Sequence, residues 1–138
     1  MNKISEVMTR QIQVASPQQT LREAAMTMAR EDIGSLPVGE NDKLIGMITD
    51  RDIVLRAVAE GRGPETPVRE VMTENIKYCY DDDDVAQVAQ NMAELQVRRL
   101  PVVNRDKRLV GIVALSNMAQ CGDQHATEDM LRGVARPH

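Results

Sequence analysis

The sequence predicts a mixed α/β (α+β) fold in which one βαββα unit occurs twice. Three observations carry that expectation. First, short segments recur in order. Glu6-Val7-Met8-Thr9 returns as Glu70-Val71-Met72-Thr73, Leu36-Pro37-Val38 as Leu100-Pro101-Val102, and Leu44-Ile45-Gly46 as Leu109-Val110-Gly111. The first two offsets are 64 and the third is 65, so one extra residue sits in an intervening loop. A period this long, held at three places, marks a duplicated structural unit. Second, each copy sets short apolar runs around a segment of helical periodicity. Third, Gly61-Arg62-Gly63-Pro64-Glu65-Thr66-Pro67 has the composition of a boundary. The copies are placed at 1–62 and 63–120, with 121–138 a C-terminal tail expected to be partly disordered. A duplicated unit tends to pair with itself, and the clefts made by pairing are where small molecules bind.

The elements follow in order within each copy. A segment ending in Val-Met-Thr opens it, and a strand-like stretch follows, Ile12–Ala15 or Ile76–Cys79. The next helix has a legible start. Thr20 with Glu23 fits a capping box, and Asp84 with Gln87 is the same device in other residues. Apolar stripes at helical spacing, Leu21, Ala24, Ala25 and Met28 in one copy and Val85, Val88, Ala89 and Met92 in the other, are expected in the core. A strand around Leu36-Pro37-Val38 or Leu100-Pro101-Val102-Val103 comes next. Its proline points to an edge or a strand start, because proline cannot donate to a ladder. A polar loop leads to an apolar strand, Leu44–Ile48 or Leu109–Val113. The last helix of copy one starts near Thr49 and runs to about Glu60, with Gly61 as its stop. In the tail, Glu128–Val134 can form a helical turn or two.

Bulk composition excludes several function classes. The 138 residues contain no Phe and no Trp, so nine Met together with Val, Ile, Leu and Ala must fill the core. Net charge is −4, from 17 basic and 21 acidic residues, which argues against general nucleic-acid binding. No apolar run approaches the roughly 20 residues of a membrane span. The opening lacks a signal-peptide stretch. Two cysteines, Cys79 and Cys121, make no disulfide framework, so a cytoplasmic location is expected.

The most informative local motif is Gly46-Met47-Ile48-Thr49-Asp50-Arg51-Asp52. A buried strand ends, a hydroxyl residue follows, and a carboxylate sits three positions on. Helix-start N–H groups and Arg51 suit a phosphate, and Asp52 offers two acceptor oxygens to the hydroxyls of a ribose. Thr-x-x-Asp is equally a capping box that needs no ligand. Both readings stay open on the sequence.

At these residues the chain resembles a tandem pair of CBS (cystathionine-β-synthase-type) domains, a Bateman module of the small stand-alone bacterial kind. The matching segments in copy one are Val7-Met8-Thr9, Ile33 to Val38 and Leu44 to Ile53. In copy two they are Val71-Met72-Thr73, Val97 to Val103 and Leu109 to Met118. The resemblance covers about 1–120. It implies two pseudo-symmetric βαββα repeats packed as one module, usually dimerised, that binds an adenine nucleotide (AMP, ADP or ATP) in clefts between the repeats. It implies that Asp52 and Thr49 hold the ribose, that Ile33, Gly34, Ser35, Leu36 and Pro37 surround adenine, and that Gln13 and Ala15 border the same cleft.

Copy two departs from the pattern. Ala114 replaces the hydroxyl residue and Asn117 the aspartate. A neutral amide bonds more weakly than a carboxylate. Arg98 and Arg99, just before Leu100, can grip phosphates or pair with the acidic run. The expectation is one good nucleoside site around Asp52 and a second, weaker one around Asn117, Ala114, Arg98, Arg99 and Leu100.

Other groups read more simply. Asp81-Asp82-Asp83-Asp84 is a solvated loop feeding a helix cap rather than a metal site. Cys121 and His125 are too few for structural zinc. No nucleophile–base set and no Gly-rich phosphate motif occurs. The overall expectation is a non-enzymatic nucleotide sensor that needs no metal or obligatory cofactor. Its partners would be a second copy, met through Ile53, Val54 and Val58, and an unidentified effector protein. A ligand-free interaction module is the alternative, and a redox- or metal-responsive sensor using Cys79, Cys121 and His125 is a third class.

Overall fold

The computed structural model describes residues 2–119. The expected tail, with Cys121, His125 and Glu128–Val134, lies outside them. In chain order the elements are α1 (Ile4–Val7), α2 (Leu21–Glu31), β1 (Ser35–Glu40), β2 (Lys43–Thr49), α3 (Asp50–Asp52), a π-helical stretch (Ile53–Val58) and a 3-10 turn (Val68–Glu70). They continue with β3 (Cys79–Tyr80), α4 (Val85–Leu95), β4 (Arg99–Val103), β5 (Leu109–Ala114) and α5 (Leu115–Ala119).

These elements form two compact units that cut across the linear copies. One is Gln13–Ile76, and the other joins the segment up to Ile12 to the chain from Lys77 onward. The expected division at 62/63 does not coincide with these units, because each opening segment packs with the other copy's helix and hairpin. Matching hydrogen bonds hold it there. In the Gln13–Ile76 unit the Leu21 amide donates to the Thr66 carbonyl (2.9 Å) and the Val68 amide to Gln19 (2.8 Å). In the other unit the Val85 amide donates to Asn2 and the Ile4 amide to Asp83, both at 3.0 Å.

Each unit is built on an antiparallel hairpin, β1–β2 or β4–β5. Both hairpins carry a register shift at the same place, between Val38 and Gly39 or Val102 and Val103. The extra residue of copy two falls in the β4–β5 turn: Gly39 pairs with Leu44, but Val103 pairs with Leu109. The shorter turn places Asn41 and Asp42 at positive φ (54° and 65°), the conformation of a tight hairpin turn.

The expected first strands are shorter than the sequence indicated, and the proline that recurs in both copies explains why. Ala15 bridges Val38 in parallel: its amide donates to Pro37 and its carbonyl accepts from Gly39, both at 2.9 Å. The next rung back would need an N–H from Pro37, which has none. Pairing starts at Cys79 in the other unit for the same reason, since the preceding rung would need an N–H from Pro101. The expectation that proline marks an edge or a strand start is thus corrected for copy two, where β4 lies between β3 and β5 and the parallel neighbour is what ends. In copy one β1 belongs to a two-stranded sheet and meets only the single bridge from Ala15 on its other side.

The opposite side of each hairpin receives Val-Met-Thr. Thr73 exchanges both backbone hydrogen bonds with Met47 (2.8 and 2.9 Å), and Thr9 does so with Ile112 (2.8 and 3.0 Å). The crossing is so close that a Cβ on Gly46 would lie 2.9 Å from both the Thr73 carbonyl oxygen and Met72 Sδ. A Cβ on Gly111 would lie 2.7 Å from the Thr9 carbonyl oxygen. The repeated glycine and the repeated threonine are two sides of one contact.

Each unit has its own apolar core. One gathers Leu21, Ala24, Met28, Leu36, Val38 and Ile48, closed from the far side by Val68, Val71 and Met72. The other gathers Val85, Val88, Ala89, Met92, Leu100 and Val102, closed by Ile4. Ala25, expected in the stripe of α2, is exposed at its margin. With no Phe or Trp in the chain, Met28, Met72, Met92 and Met118 take up buried volume. The Thr20–Glu23 capping box forms, and Asp84 accepts from the Gln87 amide at 3.3 Å. Asp32 and Gln96 close the two helices in the left-handed region, at φ 54° and 57°.

Gly46→Ala and Gly111→Ala are expected to destabilise their units by about 1–3 kcal/mol, the usual cost of overpacking. Gly63→Ala, with open space around its Cβ, is the neutral control. Urea unfolding of the three variants checks this ranking.

Candidate functional site

Thr49 ends β2, and Asp52 closes the first turn of α3. The Asp52 amide donates to Thr49 Oγ1 (2.9 Å), and the Thr49 amide donates to Asp52 Oδ2 (3.1 Å). The capping box left open by the sequence therefore exists. It is not all that Asp52 does. The Thr73 hydroxyl, delivered by the crossing segment, reaches Oδ1 and Oδ2 at 3.4 Å each. Arg56 Nη1 donates to the Met72 carbonyl (3.1 Å) and approaches Thr73 Oγ1 (3.5 Å), pinning that segment. A carboxylate has about four acceptor positions, so a half-buried Asp52 keeps capacity for hydroxyl donors from outside.

The strand register sets what stands beside it. Ser35 pairs with Thr49 across the end of the hairpin, and the Asp50 amide donates to the Gly34 carbonyl at 2.9 Å. Ile33 packs on the core next door. Ile33, Gly34, Ser35, Thr49 and Asp52 thus share one end of β1–β2. Arg51 and Gln13 are exposed. Leu36 and Ala15 are core residues, so only their backbone is available to a ligand, and Pro37 is buried as well. Ala15 is also remote, since it pairs with Val38, three residues and about 10 Å along the strand from Ser35.

Two contributors were missed by the sequence reading. Thr73 served there only as a repeat marker. Its position in the repeated motif, together with the repeated glycine, was the available signal. Asp50 sits over Gly34, where a Cβ would come 3.1 Å from Asp50 Oδ2.

The second unit has the same knot with its polarity reversed. Asn117 Oδ1 accepts from the Ala114 amide (2.8 Å), reproducing half of the capping box. Asn117 Nδ2 donates to Thr9 Oγ1 (3.4 Å), where Asp52 accepts from Thr73. The amide keeps one acceptor position and one N–H, and it carries no charge. Arg99 pairs with Ala114 in register, and both Arg98 and Arg99 are exposed. Leu100 is a core residue. Neither arginine is held by the acidic run. Asp82 is gripped by Arg105 at 2.7 Å, Asp83 accepts from the Tyr80 amide (2.9 Å), and Asp84 caps α4. The Arg105 guanidinium holds the Asp82 carboxyl below its ordinary range. Among the described residues no acidic, His and Cys cluster fit for a metal occurs.

Around that run, Arg105 lies over the Tyr80 ring (4.0 Å to its centroid). Lys107 donates to the Tyr78 and Tyr80 hydroxyls, which lowers the Tyr78 pKa and raises that of Lys107. The only two aromatic residues thus pin the β4–β5 turn to β3.

With this geometry in place, the comparisons decide the family. The CBS domain pattern matches residues 4–58 and 68–121. The chain belongs to the CBS-domain family. It is 44% identical over 119 residues to the CBS domain-containing protein YhcV of Bacillus subtilis, covering 86% of this chain and 84% of that protein. It is 34% identical over 139 residues to Hypoxic response protein 1 of Mycobacterium tuberculosis, covering 99% and 96%. Both relatives are, like this chain, about the length of one CBS pair. Two solved CBS structures match the fold. Hypoxic Response Protein I with two coordinated zinc ions has a TM-score of 0.78, at 36% identity over 88% of this chain and 99% of that one. The CBS domain pair of protein MJ0100, in complex with 5′-methylthioadenosine and S-adenosyl-L-methionine, has a TM-score of 0.73, at 27% identity over 87% and 98%. No helix among the described residues is long and apolar enough to cross a membrane.

Cys79 is buried, which pushes its thiol up to about 12, with Asp83 and Asp81 adding to the shift. The thiol is therefore neutral at physiological pH, the wrong state for a nucleophile or metal ligand. In a Cys121→Ser background, Cys79 is expected to resist alkylation at pH 8 until denaturant is added. Labelling followed by mass spectrometry checks this, and prompt reaction of the folded protein contradicts it.

Proposed function

We propose that the chain is a non-enzymatic, cytoplasmic regulatory protein that binds an adenine nucleotide (AMP, ADP or ATP) at the Thr49–Asp52 end of β2. Binding would be read out by a second copy or an effector protein. One observation carries the reading. The Asp52 carboxylate is half-buried, oriented by the Thr49 amide and the Thr73 hydroxyl, and has acceptor capacity to spare. That suits the paired hydroxyls of a ribose. Ser35 and the Gly34 backbone stand beside it for the base, and exposed Arg51 is available to a phosphate. The adenosine-containing ligands of the MJ0100 pair support the same ligand class. A signal requires that the ligand favour one arrangement of the protein over another. Asp52 touches the crossing segment through Thr73, so a ribose that claims the carboxylate competes with that contact.

Asp52→Asn tests the site without removing the cap, because Asn accepts from the Thr49 amide as Asn117 does from Ala114. It is expected to weaken nucleotide binding about tenfold or more, measured by calorimetry with AMP, ADP and ATP. Asn117→Ala is expected to change the tighter binding little. Unchanged binding in Asp52→Asn contradicts the proposal. Zinc belongs in the same screen, since one related structure holds two zinc ions and Cys121 and His125 lie outside the described residues.

The ligand-free reading has one observation in its favour: the capping box accounts for the Thr49–Asp52 pair without a ligand. It predicts no thermal shift with any nucleotide.

For the second copy, the π-helical stretch offers a seam. Val54, Leu55 and Val58 are 54%, 46% and 67% exposed, whereas Ile53 turns toward the core. Val58→Glu is expected to shift the protein from dimer to monomer in size-exclusion chromatography with light scattering.

A further inference from the structure

A separate cleft of about 290 Å3 opens in the unit that contains α4. It runs between the chain entering β3 and the face of α4. The lining is mixed, and its apolar part is Cys79 and Leu100 from the sheet and Val88 and Leu95 from the helix, with Tyr78 also lining the cleft. Leu95 remains 42% exposed, so apolar surface stands uncovered at the mouth. Charge is confined to the rim. Lys77 stands on the strand side, and Glu94 and Asn91 stand on the helix. Asp83 also lines the cleft, but its carboxylate is engaged by the Tyr80 amide.

The chemistry of the lining selects its occupant. The volume falls at the small end of ligand pockets, roughly 300–1,000 Å3, so the ligand is small. The apolar part of the lining suits a short aliphatic side chain. The rim has two carboxylates to one ammonium, which disfavours a phosphate or any purely anionic guest and asks for a cation. Glu94 is acceptor-only and Lys77 donor-only, while Asn91 offers both kinds of group. A molecule carrying an ammonium, a carboxylate and an aliphatic chain satisfies all of these.

We infer that this cleft binds a free aliphatic α-amino acid, its ammonium on Glu94, its carboxylate on Lys77 and its side chain on Leu95, Leu100 and Val88. The cleft shares Leu100 with the second, weaker nucleoside site expected around Asn117, but it does not involve Asp52 and stands apart from the nucleotide reading at Thr49–Asp52. It would give the protein a second input, one that reports amino-acid supply.

The test uses the full chain with L-leucine and L-methionine as probes, followed by thermal shift and calorimetry. At roughly ten times Kd the melting temperature is expected to rise by about 4 °C. L-leucinamide, which lacks the carboxylate, and 4-methylpentanoate, which lacks the ammonium, are expected to bind at least tenfold more weakly. Glu94→Gln and Lys77→Met, both on exposed side chains, are each expected to weaken leucine binding at least tenfold. They should leave the unliganded melting temperature and the response to AMP unchanged. The proposal is overturned by any of three results: no shift with any aliphatic amino acid at 10 mM, equal binding of the single-charge analogues, or leucine binding that survives both substitutions.

Discussion

Each unit of this protein depends on a close crossing between a threonine-bearing segment and the glycine of a β-hairpin. Thr73 against Met47 and Thr9 against Ile112 close the sheet on its open side with paired backbone hydrogen bonds. Gly46 and Gly111 permit it, because a side chain at either position would meet backbone oxygen. The crossing also brings Met72, and the valines ahead of it, over one core, and Ile4 into the other. Without it, a short hairpin and one helix would leave their apolar faces to water. Because the segment that crosses comes from the other linear copy, neither copy is a complete folding unit on its own.

The same crossing delivers a hydroxyl to the end of the second hairpin strand, and there the two copies diverge. Thr73 donates to a carboxylate, and Thr9 accepts from an amide. One substitution, aspartate to asparagine, leaves the backbone cap in place and reverses the side-chain hydrogen bond. It removes the charge that makes such bonds strong. Fold and charge are thus separable: the accepting oxygen three residues after the strand end serves the fold, and Asn117 shows that the fold does not need the charge on it.

Much of the architecture was legible because its signals are local. The capping residues Thr20 and Asp84, the stripes of α2 and α4 and the extra residue of copy two all act through near neighbours in sequence. The shortened first strands were also written in the chain, but as a missing donor: Pro37 and Pro101 each lack the N–H that a further rung requires. The exchange of opening segments was not legible, because the repeated motif is the same whichever copy it packs against. The role of Thr73 was hidden for that reason, since its partner Asp52 lies 21 positions earlier in the chain. Nor does the pattern announce that Ile53–Val58 closes hydrogen bonds five residues apart, as from the Ala59 amide to the Val54 carbonyl at 2.9 Å. Apolar spacing distinguishes a helix from a strand more readily than an α from a π turn.

A carboxylate poised between a structural and a binding role calls for direct observation. The most direct measurement is a crystal structure of the protein soaked with AMP. The account predicts ribose hydroxyls on Asp52, adenine against Ile33, Gly34 and Ser35, and no equivalent ribose on Asn117. A soaked crystal in which Asp52 keeps only its Thr49 and Thr73 contacts, with nucleotide elsewhere or none at all, would contradict it.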